Sequence, residues 1–226
     1  MGAVTRVLLV DDDPLVRAGL RLMLESAGDL DVVGEVGDGA EVVDAVARWA
    51  PDVVLMDIRM PVLDGIAATR ALVDRPGATP AVLVLTTFGA DRTVVDALRA
   101  GAAGYVLKDT PPAEIVEAVR RVAAGEAVLS PAVTRSLIDV ATAADSEPEA
   151  GAAARRSLAA LTERERDVAD AVADGLSNGE IAARLYLSTS SVKTHLSSAL
   201  TKLGLVNRVQ LAILAHASRR PDAEGR

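Results

Sequence analysis

The chain has 226 residues, half of them hydrophobic, and a formal net charge of −8 at pH 7. This length allows one large domain or two small ones with a sizeable core, and no apolar run approaches the roughly 18 residues of a membrane-spanning helix. Zero cysteines exclude disulfides and thiolate metal sites, and two histidines argue against a structural zinc site. The first six residues carry no signal-peptide pattern, so we expect a cytoplasmic protein.

Strand-like and helix-like patterns alternate through the first 124 residues. The apolar runs are Val7–Val10, Val32–Val36, Val53–Met56, Ala81–Leu85 and Gly104–Leu107, and the helical segments are roughly 14–27, 39–49, 65–74, 91–100 and 112–124. Five strands alternating with five helices predict a parallel α/β sheet covered on both faces, most simply a doubly wound one.

The composition changes beyond this region. Residues 130–140 are predicted to be helical, and Ala141–Ser157 has few large apolar residues. The latter stretch indicates an interdomain linker, although its alanines allow part of it to be helical. The remainder has no strand-like alternation and predicts four short helices, near 163–174, 179–186, 189–203 and 207–218.

The charge is distributed unevenly between the two parts of the chain. From Leu158 onward there are nine basic and eight acidic residues, a net charge of +1, which leaves −9 for the rest. No acidic residue occurs between Ile181 and Pro221, a stretch that contains Arg184, Lys193, Lys202, Arg208, Arg219 and Arg220. Such local asymmetry indicates a segment that faces nucleic acid.

Polar and charged side chains follow four of the five apolar runs. Asp11–Asp13 follow the first run, Asp57 the third, Thr86 the fourth and Lys108 the fifth. In an open parallel sheet, sites form outside the carboxyl ends of the strands. We therefore expect these groups to lie together, and a carboxylate cluster of this kind suits Mg²⁺. Mg²⁺ and Lys108 would neutralise a transferring phosphoryl group, and Asp57 could accept it covalently.

Several motifs occur in order and at suitable spacing: Asp11-Asp12, Asp57-Ile58-Arg59-Met60-Pro61, Asp64-Gly65, Thr86 and Tyr105-Val106-Leu107-Lys108. They resemble the receiver domain of two-component response regulators over about the first 125 residues. The resemblance implies a five-stranded flavodoxin-like fold in which a histidine kinase phosphorylates Asp57. Asp12, Asp57 and the backbone carbonyl of Arg59 would bind Mg²⁺, and Asp11 would contribute through water.

The same resemblance assigns the switch. Thr86 and Lys108 would contact the phosphoryl oxygens, and Tyr105 would turn inward behind Thr86. Two positions depart from the common pattern, because Asp13 stands where many relatives have histidine and Asp109 where many have proline. We expect Asp13 to be peripheral and Asp109 to leave the site intact.

Two alternatives differ in chemistry. Asp11 and Asp13 after an apolar run also resemble the start of haloacid-dehalogenase-type phosphatases, but five compact βα units leave no room for the substrate-selecting cap of those enzymes. A helix-turn-helix regulator controlled by a small lactone is the second alternative. Lactone pockets tend to be rich in aromatic residues, whereas only 2% of this chain is aromatic.

The C-terminal helices carry turn and capping signals. Thr162 with Glu165 forms a capping box for the first helix, and Ser177-Asn178-Gly179-Glu180 begins the second. After Leu187-Ser188, the segment Thr189–Leu196 opens a third helix that is polar and basic. Two short helices joined by a brief turn predict a helix-turn-helix unit, whose second helix enters the major groove.

The strings Leu-Thr-Glu-Arg-Glu-Arg, Gly-Leu-Ser-Asn-Gly-Glu-Ile-Ala, Leu-Ser-Thr-Ser-Ser-Val-Lys-Thr-His-Leu and Lys-Leu-Gly resemble the LuxR/NarL-type DNA-binding domain over about residues 158–218. The resemblance assigns Lys193, Thr194 and Ser197 to the groove-facing surface. Candidates for phosphate contact are His195, Lys202 and Arg208. Serine at position 197 reaches less far than the basic or amide side chains of many relatives, so the DNA sequence that is bound is not predictable.

These observations predict a phosphorylation-dependent transcriptional regulator with no enzymatic activity beyond self-catalysed phosphoryl acceptance and slow autodephosphorylation. The predicted parts are a receiver domain at 1–125, a helix and linker at 126–157, and an all-α four-helix DNA-binding domain at 158–220. The expected partners are a sensor histidine kinase, double-stranded promoter DNA and, after phosphorylation, a second copy of the chain. Helix 207–218 would supply either the dimer face or core packing.

Overall fold

The computed structural model describes residues 4–75, 79–87, 91–129 and 148–219. The chain divides into two compact units, Met1–Ser136 and Leu137–Arg226. Among the described helices, none is both long and apolar enough to cross a membrane.

A parallel sheet forms the centre of the N-terminal unit. Its strands are β1 (Thr5–Val10), β2 (Leu30–Val36), β3 (Val53–Met56), β4 (Ala81–Thr86), β5 (Gly104–Leu107) and β6 (Val128–Leu129), in the order β2-β1-β3-β4-β5-β6. The parallel sheet and its five main strands confirm the prediction. The short β6 was not predicted, because two residues are too few to show a periodic pattern.

The helices of this unit are α1 (Pro14–Glu25), α2 (Val42–Trp49), α3 (Gly65–Val73), α4 (Asp91–Ala100) and α5 (Pro112–Ala123). A short 3₁₀ turn, Gly39–Glu41, precedes α2. The sequence had predicted one helix over 39–49. It divides because Asp38 caps the 3₁₀ turn through the amide of Ala40, before the α-helical bonds begin.

Both faces of the sheet are covered, which explains why the central strands are continuous apolar runs. Val7 and Leu9 of β1 belong to a core cluster with Leu24 of α1 and Val119 of α5. Leu8, which alternates with them, is equally buried, so the opposite face is also covered. The outermost strand β2 instead alternates buried and partly exposed residues.

Five helices are described in the C-terminal unit: α6 (Pro148–Leu158), α7 (Glu163–Ala173), α8 (Asn178–Leu185), α9 (Thr189–Leu203) and α10 (Arg208–Ser218). Their core includes Val168 and Val172 of α7, Ile181 of α8, Val192 of α9 and Leu211 of α10. The four helices predicted after residue 158 are confirmed to within two residues at each end.

Helix α6 lies within the predicted linker, for which the composition allowed partial helicity. Ala154 and Leu158 are buried, and Arg155 donates a hydrogen bond to the carbonyl of Ser218, 3.3 Å away. The C-terminal unit thus begins upstream of the predicted start at Leu158. The predicted helix over 130–140 and the rest of the predicted linker, 141–147, lie outside the described residues.

Candidate functional site

The strand order has a topological switch point between β1 and β3. The chain moves outward from β1 to β2 and then returns past β1 to β3, so a crevice forms beyond the carboxyl ends of β1 and β3. The amide of Asp57 donates to the carbonyl of Val10 at 2.8 Å, which fixes the ends of these two strands side by side. Asp11 and Asp57 therefore project from adjacent positions.

Three carboxylates and one ammonium meet in this crevice. One oxygen each of Asp11, Asp12 and Asp57 lies within 4.8 Å of the others. The ammonium nitrogen of Lys108 is 2.5 Å from Asp11 Oδ2 and 3.2 Å from Asp57 Oδ2. Asp11 and Asp57 are buried, while Asp12 is exposed. This all-oxygen donor set fits a hard cation such as Mg²⁺.

The surroundings of Asp57 and Lys108 shift their pKa values. Burial raises the pKa of Asp57 above that of an ordinary aspartate, although the charge of Lys108 opposes the shift. Burial by itself would lower the pKa of Lys108, but its hydrogen bond to Asp11 and the charges of Asp57 and Asp11 outweigh burial and raise the pKa. Lys108 consequently remains an ammonium ion beside Asp57.

The predicted switch residues lie on the neighbouring strands. Thr86 ends β4 with its side chain buried, and its carbonyl accepts a hydrogen bond from the Lys108 amide at 2.8 Å. Tyr105 on β5 is fully buried, and burial together with the charge of Asp57 raises its pKa to about 12. An inward tyrosine was predicted for the phosphorylated state, and Tyr105 is already inside in this structure.

Asp13 has a local role, because it caps the first helix. Its carboxylate caps α1 by accepting the amide of Leu15 at 2.8 Å, and its own amide donates to Asp11 Oδ1 at 3.0 Å. Arg17 was not predicted to belong to the site. Its guanidinium donates to the carbonyl of Asp11 at 2.5 Å and pairs with Glu35 at 3.3 Å, so it supports the turn between β1 and α1.

The C-terminal unit contains a pair of helices joined by a tight turn. A capping box begins α7 at Thr162, as the sequence predicted, and a second capping box begins α8 at Ser177. Helix α8 ends at Leu185, and the next residue, Tyr186, has a left-handed backbone (φ 55°) that terminates the helix. Ser188 then caps α9 by accepting the amide of Ser191 at 3.0 Å. The arrangement is a helix-turn-helix, with α9 as its second helix.

One face of α9 is polar and exposed. A shallow surface hollow runs along it, lined by Lys193, Thr194, Ser197, Ser198, Thr201 and Lys202. Lys193, Thr194 and Ser197 are exposed, whereas His195 is only half exposed. Val192, Leu196 and Ala199 occupy the opposite, buried face. The residues predicted to face the groove therefore share one accessible surface.

Lys202 and Glu165 connect α9 to α7. Glu165 is buried, and its carboxylate accepts bonds from Lys202 Nζ at 2.8 Å, Ser198 Oγ at 2.6 Å and the amide of Thr162 at 2.8 Å. These donors, Lys202 first, lower the pKa of Glu165 to about 2. The ammonium of Lys202 is thus already paired inside the unit.

Three more cations of the stretch without acidic residues are also engaged. Arg208 is buried, donating to Asn178 Oδ1 at 2.7 Å and to the carbonyl of Leu176, so its predicted phosphate contact does not fit this geometry. Arg184 and Arg219 each lie 2.6 Å from an oxygen of Asp174. Lys193, by contrast, makes no ion pair within the described part of the chain.

Comparisons with known proteins match both units. Residues 7–120 match the response regulator receiver domain, and residues 159–215 match the bacterial regulatory proteins of the luxR family. The chain is 38% identical to the uncharacterized transcriptional regulatory protein YxjL of Bacillus subtilis, over 93% of this chain and 94% of that protein. It is 36% identical to the nitrate/nitrite response regulator protein NarL of Escherichia coli, over 94% and 95% of the two chains.

Solved structures agree with these matches. The crystal structure of the response regulator ChrA, from a heme-sensing two-component system, has a TM-score of 0.52 and 37% identity, covering 97% of this chain and 99% of that one. A receiver domain followed by a luxR-family helix-turn-helix accounts for both units. The chain belongs to the NarL/LuxR-type response regulators of two-component systems.

Proposed function

We propose that Asp57 accepts a phosphoryl group from a sensor histidine kinase and that this event controls DNA binding by α9. The chain is a phosphorylation-dependent, DNA-binding transcriptional regulator, as expected for its combination of receiver and luxR-family domains. The observation that carries the assignment of Asp57 is the position of Lys108, which lies 3.2 Å from Asp57 and 2.5 Å from Asp11. This geometry supplies a nucleophile and a fixed positive charge together.

The proposed transfer is a single displacement at phosphorus. A carboxylate oxygen of Asp57 forms a bond to the phosphorus of the kinase phosphohistidine, while the P–N bond breaks and the imidazole leaves with the electron pair. Lys108, held by Asp11, stays beside the transferred oxygens and stabilises their charge. Mg²⁺ bound by Asp12, Asp57 and the backbone carbonyl of Arg59, with Asp11 acting through water, would neutralise further charge. Slow autodephosphorylation is the only other chemistry that we propose.

Phosphorylation changes the charge at a buried position. The phosphoryl group carries about −1.5 to −2 charges in place of the single negative charge of the Asp57 carboxylate, which is buried. The Thr86 hydroxyl on the adjoining strand end and the Lys108 ammonium are the donors that would meet the new oxygens. Because Tyr105 lies on β5, which pairs with the strand that ends at Thr86, we propose that movement of Thr86 is transmitted to the Tyr105 ring.

The proposed nucleic-acid surface is the exposed face of α9. Lys193, Thr194 and Ser197 would contact the major groove, with His195 beside a phosphate. Since few cations are available in each subunit, we propose that phosphorylated protein binds promoter DNA as a homodimer. Acting between a kinase and promoter DNA, it would work in the cytoplasm. We propose a receiver domain that ends near residue 125 and a C-terminal domain that includes α6 and therefore begins before the predicted boundary at 157.

The acceptor is tested with acetyl phosphate and Mg²⁺, by following the mass increase of one phosphoryl group in the intact protein. We expect wild type and Asp13→Asn to be labelled and Asp57→Asn to remain unlabelled. Asp13→Asn is the matched control because asparagine also caps a helix. Labelling of Asp57→Asn would exclude Asp57 as the acceptor. Labelling that survives in Asp57→Asn but is lost in Asp11→Asn would instead favour the phosphatase-like chemistry.

The consequence for DNA is tested by selection from a random duplex library, with and without Mg²⁺ and beryllium fluoride. We expect one sequence to be enriched more strongly with the phosphoryl mimic. Asp57→Asn should enrich DNA equally under both conditions. Enrichment by wild type that does not depend on the mimic would refute the link between Asp57 and DNA binding.

A further inference from the structure

A loop without regular secondary structure carries the proposed metal-binding carbonyl. This loop, residues 58–64, connects β3 to α3 and includes Arg59. At its base, the amide of Gly65 donates to the carbonyl of Ile58 at 2.9 Å. That bond joins the two ends but leaves the residues between them without helix or sheet bonds. The Arg59 carbonyl belongs to this loop, so contacts that hold the loop bear on its direction.

Asp38 holds that far side. Its Oδ2 accepts the amide of Val62 at 2.8 Å, and its Oδ1 accepts the amides of Leu63 at 3.0 Å and Ala40 at 2.9 Å. One carboxylate thus ties the turn after β2 to the loop after β3. Donation by these three amides, that of Ala40 first, lowers the pKa of Asp38, so the carboxylate is ionised and a strong acceptor at neutral pH.

Gly39 adds a steric contact between the same two segments. A Cβ atom built on Gly39 would lie 2.3 Å from the carbonyl oxygen of Leu63, so only glycine allows the turn to approach the loop this closely. The hydrogen bonds of Asp38 hold the amides of Val62 and Leu63, and Gly39 packs against the carbonyl of Leu63. Each can be changed separately, which gives two independent ways to disturb the loop.

We propose that Asp38 is a positioning residue for the metal and phosphoacceptor site, acting through the backbone of residues 58–64. The proposal rests on the proposed function, because it assumes that the Arg59 carbonyl and Asp57 bind Mg²⁺. Groups that orient metal ligands commonly change metal affinity by 10–100-fold when removed. Asp38 orients a ligand by holding its loop, at a distance from the ion itself.

Magnesium affinity, measured by isothermal titration calorimetry with Mg²⁺ alone on the full chain, is the direct readout. We expect Asp38→Ala to weaken Mg²⁺ binding by about tenfold. Asp38→Asn should have a smaller effect, because its oxygen still accepts from Ala40 and Leu63 while its NH₂ group faces the Val62 amide. Gly39→Ala keeps the carboxylate but displaces Leu63, and should also weaken binding. Phosphorylation by acetyl phosphate should slow in each variant and recover at high Mg²⁺.

Asp52→Ala is the matched control. Asp52 also accepts a backbone amide, that of Arg6 at 2.8 Å, but at the amino end of the strands. We expect this variant to bind Mg²⁺ as wild type does, whatever its loss of stability. Wild-type Mg²⁺ affinity in Asp38→Ala, whatever the result for Gly39→Ala, or an equal loss in Asp52→Ala, would overturn the inference and leave the proposed function standing. Wild-type protein that binds no Mg²⁺ and takes no phosphoryl group would overturn both.

Discussion

The two lysines of α9 allow a direct test of how the protein contacts DNA phosphates. Both were predicted to lie at the nucleic-acid surface, but their surroundings differ. Lys193 is exposed without an acidic partner in the described part of the chain, whereas Lys202 is 2.8 Å from the buried carboxylate of Glu165. We therefore compare Lys193→Gln with Lys202→Gln, two substitutions that remove the same charge from the same helix.

The expected magnitudes follow from counterion release. Each phosphate contact contributes about 0.9 to the slope of log affinity against log salt concentration. Lys193 is proposed to lie in the major groove, where its charge also neutralises that of the flanking phosphates. For Lys193→Gln we therefore expect the slope per bound subunit to fall by about 0.9, so that the affinity advantage of wild type shrinks about 3.5-fold between 50 and 200 mM salt. Lys202→Gln should lower affinity while leaving the slope unchanged, because its charge is already neutralised and its loss disturbs the orientation of α9 on α7.

The assay is fluorescence anisotropy on the selected duplex, at four salt concentrations, with the phosphoryl mimic present. A slope that falls equally in both variants would refute the argument, since it would mean that Lys202 leaves Glu165 to contact phosphate. An unchanged slope in Lys193→Gln would show that this side chain contacts only bases. Affinity for unrelated duplex DNA provides the control for sequence-independent binding.

Three further predictions concern stability and ionisation. The pKa of Glu165 is about 2, below the unfolded value of about 4.3, so its stabilisation is complete above that unfolded value and is lost as pH falls toward 2. The thermal midpoint of wild type should accordingly exceed that of Glu165→Gln at pH 6, and the difference should shrink through this window; a constant difference would contradict the pairing. Tyrosinate absorbance should include a transition near pH 12 that Tyr105→Phe abolishes. Because the unfolded chain ionises this tyrosine near pH 10, the stability of the fold should decrease as pH rises above about 10. Persistence of the transition in Tyr105→Phe would assign it to another group. Gly204→Ala places an L-residue at φ 64° with open space around the new Cβ, so urea unfolding should show a loss of about 1 kcal/mol from backbone strain alone; no loss would show that the helix end relaxes.

The sheet and much of the acidic site could be predicted because both depend on local sequence signals. Apolar runs such as Val53–Met56 mark buried strands, and in a parallel sheet the residues that follow them must share one edge. That argument by itself predicts that Asp11, Asp57 and Lys108 lie together. The approach of Lys108 to both carboxylates was not part of that prediction, because side-chain positions are set by packing that no local pattern records.

Asp38 was not predicted because a turn after a strand commonly contains Asp-Gly without further significance. Its partners Val62 and Leu63 are more than 20 residues away, and only the adjacent packing of the two segments brings their amides to one carboxylate. The helical conformation of residues 148–158 was likewise only a possibility from composition. Burial of Ala154 and Leu158 against the neighbouring helices decided it, since short helices are stabilised mainly by tertiary packing.

The charge of the C-terminal unit separates what the sequence determined from what the tertiary structure decided. By itself the sequence determined the two kinds of domain, the edge of the sheet that carries the site and the helix that presents Lys193. It also showed a stretch without acidic residues, which indicated a segment that faces nucleic acid. Folding places Asp174 and Glu165, from outside that stretch, against Arg184, Arg219 and Lys202. Charge along a chain is additive, but the field at a surface depends on which opposite charges are packed beside it, and only the fold determines those neighbours.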